Sequence, residues 1–206
     1  ETDPTSDICH TQSATAQKIA PNIHIALDKS GSMDDGDGNC PHCKTKWEYA
    51  TDALDDLAAN WSKFGQFRWA LSVFSSTLLF DDGAELLLEI GSQSASDFTD
   101  SYAGFSPGGY TPISDTIEDV RTEPTQRNGL DDWLTDSGDP LDSERTDALV
   151  VITDGEPDDV SDTEHQAEQA CRDGIVVYWL GITGADESQL QQFANAGHNA
   201  NADCPN

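Results

Sequence analysis

The sequence NIHIALDKSGS, at residues 22–32, indicates a β-strand that runs directly into a polar loop. Its apolar side chains alternate with other residues up to position 27, and the pattern stops at Asp28. In the loop, Asp28, Ser30 and Ser32 are spaced by two, and Gly31 lies between the serines. The stretch therefore predicts a strand whose end presents one carboxylate and two hydroxyls.

Two later segments carry side chains that would complete a site with this loop. One is GGYTP at residues 108–112, which contains Thr111, and the other is ALVVITDG at residues 148–155, a second apolar run ending at Asp154. In an open parallel sheet, ligands bind beyond the carboxyl ends of the strands, where the strand order reverses. Hydroxyl and carboxylate oxygens are hard ligands, so the three segments predict a site for Mg²⁺, Mn²⁺ or Ca²⁺.

This combination resembles the metal-ion-dependent adhesion site (MIDAS) of the von Willebrand factor A (VWA) domain family. The matching residues stand in the family's order, and the resemblance extends over residues 22–197: Asp28, Ser30, Ser32, Thr111 and Asp154. The resemblance implies one bound divalent cation (Mg²⁺, Mn²⁺ or Ca²⁺) with Ser30 and Ser32 as direct ligands. Thr111 would bind directly or through water. Asp28 and Asp154 would act largely through water and by hydrogen-bonding the hydroxyls.

The resemblance also implies a function. An acidic side chain of a partner can fill an open position on the metal ion, so we expect a non-enzymatic binding or adhesion module of a secreted or cell-surface protein. The partner would be a protein or another ligand that presents a carboxylate. We expect the rim of the site to contact it through Asp34, Tyr110 and Glu156.

Three other interpretations stay open at this stage. Such domains also occur as subunits of intracellular assemblies coupled to ATPases. A metal-assisted hydrolase would need a general base, and the five histidines lie mostly away from the motif loops, with His42 nearest. The acidic loop at residues 33–43 superficially resembles a second, calcium-binding loop, but it lacks the closing glutamate of an EF-hand.

Strands alternate with helical patterns along the chain, which predicts an α/β fold with a doubly wound, mostly parallel sheet and helices on both faces. The short link between strands near residues 67–75 and 84–90 indicates an antiparallel hairpin and hence one antiparallel edge strand. The run IVVYWLGI at residues 175–182 predicts a buried strand.

We expect three segments: a polar N-terminal lead-in (1–21), the VWA-like domain (22–197) and a C-terminal tail (198–206). Members of the family usually continue with one more strand and a closing helix, whereas the tail, HNANADCPN, is poor strand material. We therefore expect a chain cut from a longer surface protein. The alternatives are a sheet that ends at residues 175–182, with its edge covered by a loop or by the lead-in, or pairing with a strand from a continuing chain or a partner.

Acidic residues dominate the composition of the 206-residue chain. There are 39 Asp and Glu against 10 Lys and Arg, for a formal net charge of −29. Such a surface repels nucleic acid and anionic membranes and attracts divalent cations, and it suits solubility or a salty environment. No run approaches the ~18 apolar residues of a transmembrane helix, so we expect no membrane insertion.

Five cysteines favour an oxidising compartment. We expect disulfides Cys9–Cys204 and Cys40–Cys43, with Cys171 as a buried thiol on the inner face of a helix. For the C-x-x-C motif at residues 40–43, a zinc site with histidine ligands and a pair of free thiols remain alternatives.

Overall fold

The apolar run that begins at Asn22 forms the central strand of a five-stranded sheet. The structure is a computed structural model that describes residues 19–36, 43–64, 67–77, 83–122, 133–136, 138–155 and 157–199. The strands are β1 (Asn22–Asp28), β2 (Arg68–Phe74), β3 (Ala84–Gly91), β4 (Asp147–Thr153) and β5 (Ile175–Gly181). The helices are α1 (Lys46–Phe64), α2 (Ala95–Tyr102), α3 (Ile113–Thr122), α4 (Val160–Arg172) and α5 (Glu187–Asn199). Two short 3-10 helices cover Gly31–Asp34 and Asp142–Glu144.

The sheet has the order β3-β2-β1-β4-β5. Strands β2, β1, β4 and β5 run parallel, and β3 pairs with β2 in the antiparallel direction at one edge. The predicted fold class, with a single antiparallel edge strand, is therefore confirmed. From β1 the chain first adds β2 on one side and later returns to add β4 on the other. The strand order thus reverses between β1 and β4, where a doubly wound sheet forms its ligand crevice.

Two apolar clusters cover the two faces of the sheet, and β1 contributes to both. Leu27 belongs to the cluster under α1 and α2, whereas Ala26 belongs to the cluster under α3 and α4. Helix α1 buries Trp47, Leu54 and other residues at intervals of three or four, the spacing of one helical face. Because β1 is buried on both faces, its two ends are held firmly in place.

Strand β5 differs from the sequence-based expectation of a buried strand. Ile175 and Val177 are buried against the cluster under α3 and α4. The alternate residues Val176, Tyr178 and Leu180 are 41%, 55% and 51% exposed. The expectation is therefore wrong for one face: α4 and α5 pack against β5 from one side, whereas α1 packs over the middle of the sheet on the other. None of the described helices combines the length and apolar character needed to cross a membrane.

Helix α4 begins at Val160, where the Asp159 carboxylate accepts a hydrogen bond from the Asp162 amide and caps the helix. At its other end, Cys171 is disulfide-bonded, as is Cys43. The expectation of a buried thiol at Cys171 is therefore wrong, although the residue is buried. Cys9, Cys40 and Cys204 lie outside the described residues, so the pairings Cys9–Cys204 and Cys40–Cys43 stay predictions. They cannot both hold within one chain, because together they would use the other four of the five cysteines and leave none for Cys171.

His24 is a fully buried polar residue in the middle of β1. Its ring stacks on Trp133, with ring centroids 5.3 Å apart and an angle of 6° between the planes. Nδ1 donates to the Trp133 carbonyl oxygen at 3.0 Å, and Nε2 accepts from the Ser72 hydroxyl at 2.8 Å. Both ring nitrogens are therefore hydrogen-bonded within the protein. Burial lowers the pKa of His24 to about 4, and the hydrogen bond to Trp133 offsets this effect only partly.

We expect His24 to make folding sensitive to acid. The unfolded state accepts a proton near the ordinary pKa of 6.5 and the folded state near 4, so stability is lost as the pH falls through this window. The free energy of unfolding from urea titrations should drop between pH 7.5 and 4.5 by roughly 2–3 kcal/mol more in the wild type than in His24→Gln. His165→Gln, which changes an exposed histidine of α4, is the control and should keep the wild-type drop. Equal drops in His24→Gln and the wild type would contradict the assignment.

Candidate metal centre

Asp28 ends β1 with its carboxylate fully buried. Oδ1 accepts a hydrogen bond from the Ser30 amide at 2.7 Å, and Oδ2 accepts from the Thr153 hydroxyl at 2.6 Å. Burial raises the pKa of Asp28 to about 6; hydrogen bonds from Thr153 and Ser30 oppose this shift, and the negative charge of Asp154 adds to it. A nearby cation would favour the anionic form of this carboxylate.

The two serines of the loop connect Asp28 to Asp154. Ser30 Oγ lies 3.1 Å from Ser32 Oγ, and Ser32 Oγ donates to Asp154 Oδ1 at 2.8 Å. Ser30 and Asp154 are buried, and Ser32 is partly buried. The predicted residues from β1 and from the end of β4 thus form one continuous hydrogen-bonded group.

Thr111 reaches the same place because the loop before it is fastened to the loop after β1. The Gly108 amide donates to the Lys29 carbonyl at 2.7 Å, and the Gly31 amide donates to the Gly109 carbonyl at 2.9 Å. Gly109 has a φ of +93°, and an added Cβ atom would lie 2.2 Å from the carbonyl oxygen of Ser76. Only glycine fits such a position without displacement of the backbone.

The hydroxyls of Thr111 and Ser32 both lie beside Gly155, the residue after Asp154. A Cβ atom added at Gly155 would be 3.7 Å from Thr111 Oγ1 and 3.4 Å from Ser32 Oγ. Thr111 is 7% exposed. The structure therefore brings all five predicted metal-site residues together at the carboxyl ends of β1 and β4.

Two further residues that sequence reasoning missed take part in the site. Thr153 hydrogen-bonds Asp28, and Lys46, the first residue of α1, forms an ion pair with Asp154, with 2.5 Å between Nζ and Oδ2. Thr153 could have been predicted from the parallel pairing of β1 with β4. Leu27 pairs with Ile152, so the next residues, Asp28 and Thr153, lie side by side. In the sequence, Lys46 resembles any basic residue near the start of a helix.

The predicted rim is only partly described. Asp34 and Tyr110 are exposed beside the site, Tyr110 with 48% of its surface accessible. Glu156 lies outside the described residues, so its placement stays a prediction.

The donor set fits a hard divalent cation. It consists of three hydroxyls and two buried carboxylates, and one lysine balances only one of the two negative charges. The described residues contain no group of three or more His, Cys, Asp and Glu side chains that could hold a metal. Such a site would therefore depend on hydroxyl ligands, and a metal ion with few charged ligands keeps its affinity for an external carboxylate.

The von Willebrand factor type A domain family matches residues 22–203 of the sequence. The chain belongs to the VWA domain family. A comparison with curated proteins gave no match.

Solved VWA structures with low sequence identity share the fold. The VWA domain of SpRpn10 has a TM-score of 0.62 at 13% identity, over 90% of this chain and 85% of that one. The manganese-loaded Plasmodium vivax TRAP protein has a TM-score of 0.61 at 17% identity, over 85% of this chain and 63% of that one. The pilus adhesin SpaC from Lactobacillus rhamnosus GG has a TM-score of 0.64 at 15% identity, over 88% of this chain and 28% of that one. At these identities the likeness shows the fold alone.

We expect Gly109→Ala to displace Thr111 from the candidate metal centre, because the new Cβ atom would clash with the Ser76 carbonyl. The free energy of unfolding should fall by about 1–3 kcal/mol. Gly108→Ala is the matched control, since an added Cβ there meets nothing within 4 Å and the Gly108 amide is retained. Urea titration of both variants tests this expectation. Equal stability of the two variants would show that the loop does not depend on the conformation of Gly109.

Proposed function

We propose that this VWA domain is a non-enzymatic, divalent-metal-dependent binding module of a secreted or cell-surface protein. The observation that carries the proposal is the meeting of two buried carboxylates and three hydroxyls, from three separate segments, at the point where the strand order reverses. Within the described part of the chain, only Asp154 has a positively charged partner, and a buried carboxylate without one favours the uptake of a cation.

In this proposal Ser30, Ser32 and Thr111 hold the ion through their hydroxyl oxygens. Asp154 orients Ser32, whose hydroxyl already donates to its Oδ1, and Asp28 fixes the loop through the Ser30 amide. Both carboxylates lie close enough to the hydroxyls to act through water. When bound, the ion supplies a Lewis-acidic position for one external oxygen ligand.

The proposed partner presents a carboxylate to that open position. An acidic partner would otherwise be repelled by a chain with a net charge of −29, and a shared cation offsets this repulsion. We assign the contact with such a partner to Asp34 and Tyr110, which are exposed, and to Glu156. The rim would then set specificity, while the metal ion would set the requirement for a carboxylate.

Several observations support this function over its alternatives. Among the similar folds, TRAP was solved loaded with manganese and SpaC is a pilus adhesin. The disulfide-bonded Cys43 and Cys171 are typical of an oxidising compartment. His24 is buried with both ring nitrogens engaged, so it is not available as a general base, and the proposal includes no catalytic residue.

We expect the wild-type domain to bind Mn²⁺ and Ser30→Ala and Asp28→Asn to bind it roughly 10- to 100-fold more weakly, because each change removes an oxygen ligand or the group that orients one. Isothermal titration with MnCl₂ after treatment with EDTA gives the affinities. Ser96→Ala, which changes an exposed serine of α2, is the control for a lost hydroxyl. If both site variants bound Mn²⁺ as the wild type does, the site would be wrongly assigned.

We expect the partner to be retained through its carboxylates. Protein from the native surroundings should bind the immobilised domain in Mn²⁺ and elute with EDTA. Retention should disappear when the carboxylates of that protein are first coupled to glycinamide, and it should survive acetylation of its lysines. Binding that persisted in EDTA, or after amidation, would argue for an interface elsewhere on the domain.

A further inference from the structure

Lys46 is a basic residue that faces the interior of the site. Its ammonium forms an ion pair with Asp154, whose side chain is fully buried, while the Lys46 side chain keeps 18% of its surface exposed. Lys29, in the loop itself, is directed elsewhere, with Nζ donating to the Ser75 hydroxyl at 2.7 Å. Among the described residues, Lys46 is the only one to form an ion pair with either site carboxylate.

Helix stability does not explain a lysine at this position. Lys46 is the first residue of α1, where the helix dipole disfavours a positive charge. The backbone fixes the position instead: the Lys46 amide donates to the Asp35 carbonyl at 3.1 Å, which ties the start of α1 to the segment after the serine loop. The side chain then extends past Gly184, where an added Cβ atom would lie 3.8 Å from Nζ. Asp154 is the partner that accounts for this placement.

We propose that Lys46 is the internal counter-ion of Asp154 and competes with the divalent cation for this carboxylate. This inference rests on the proposed metal-binding function. Oδ1 of Asp154 accepts from Ser32 and Oδ2 is paired with Lys46, so both oxygens are engaged within the chain. A divalent ion bound through Ser32 would lie near the ammonium, and like charges at such short range repel strongly in a partly buried site.

The competition has two consequences of opposite sign. Without metal, the ammonium stabilises the fold, because a buried carboxylate that loses its partner is destabilising. When metal binds, the same ammonium lowers the affinity of the site for the ion unless Lys46 moves away from Asp154. Lys46 is partly exposed, so its ammonium can move into solvent, whereas the Asp154 side chain is fully buried and cannot. The affinity of the site for metal is therefore set partly by a residue that is not a ligand.

The test compares Lys46→Met with Lys44→Met. Methionine keeps the unbranched stem and removes the charge. Lys44 pairs with Asp52 on the surface, with side chains 52% and 51% exposed, so its replacement makes the same change in net charge away from the site. Lys46→Arg keeps the charge and is a second control. The measurements are Mn²⁺ affinity by titration calorimetry and the urea midpoint of unfolding in EDTA.

We expect Lys46→Met to bind Mn²⁺ about tenfold more tightly or better and to unfold in EDTA at a midpoint about 1 M lower in urea. Lys44→Met and Lys46→Arg should stay close to the wild type in both. In the wild type, labelling with an amine-reactive reagent followed by mass spectrometry should show Lys46 protected in EDTA and labelled faster in Mg²⁺, with Lys44 unchanged by metal. Tighter Mn²⁺ binding by Lys46→Met alone, even where the wild type binds none, would support the proposal.

Other outcomes separate this proposal from the function on which it rests. Equal Mn²⁺ affinity of Lys46→Met and the wild type would overturn the competition and leave the metal site standing. Weaker binding by Lys46→Met would also overturn it, because Lys46 would then only hold the site together. If neither the wild type nor Lys46→Met bound Mn²⁺, the proposed metal function and the competition would both be wrong.

Discussion

The parallel pairing of β1 with β4 is the constraint on which the site depends. Its register sets Leu27 opposite Ile152, so that Asp28 is level with Thr153 and both strands end at the same edge of the sheet. A shift of one residue would turn the Asp28 side chain to the other face. Burial of β1 on both faces opposes such a shift, because the apolar residues on each side would have to exchange places. The hydrophobic core thus fixes the position of a polar group.

The two carboxylates at this edge are stabilised in different ways. Asp28 is hydrogen-bonded by neutral donors, an amide and a hydroxyl, which join the loop after β1 to the end of β4. Asp154 is paired with a positive charge as well as with a hydroxyl. A buried carboxylate with neutral donors gains most from an added cation, whereas one with a lysine partner must first lose it. The site therefore combines a carboxylate whose partners among the described residues are all neutral with one that already has a counter-ion.

The sequence was sufficient to predict the fold class and the positions of Asp28 and Asp154 at strand ends, because strand ends are visible as the points where apolar patterns stop. It was insufficient where the outcome depends on packing between remote elements. Whether both faces of β5 are covered depends on where α1 lies, and the apolar pattern of β5 contains no information about that. The same holds for Cys171: helical spacing correctly indicated burial, but the disulfide is set by residues distant in sequence. Lys46 was missed because its partner is 108 residues away.

The acidic surface attracts cations, whereas the ion pair between Lys46 and Asp154 opposes their binding at the proposed site. A net charge of −29 raises the local concentration of all cations, but salt screens this effect beyond ~8 Å at physiological ionic strength. The pair between Lys46 and Asp154 is short and largely buried, so salt weakens it much less. The long-range attraction of cations therefore varies with ionic strength, whereas the strength of the Lys46–Asp154 ion pair stays nearly constant. Under the proposed competition, this attraction would offset the repulsion by Lys46 in a dilute medium. In a saline medium, the affinity for metal would depend on the hydroxyl ligands and on how readily Lys46 leaves Asp154.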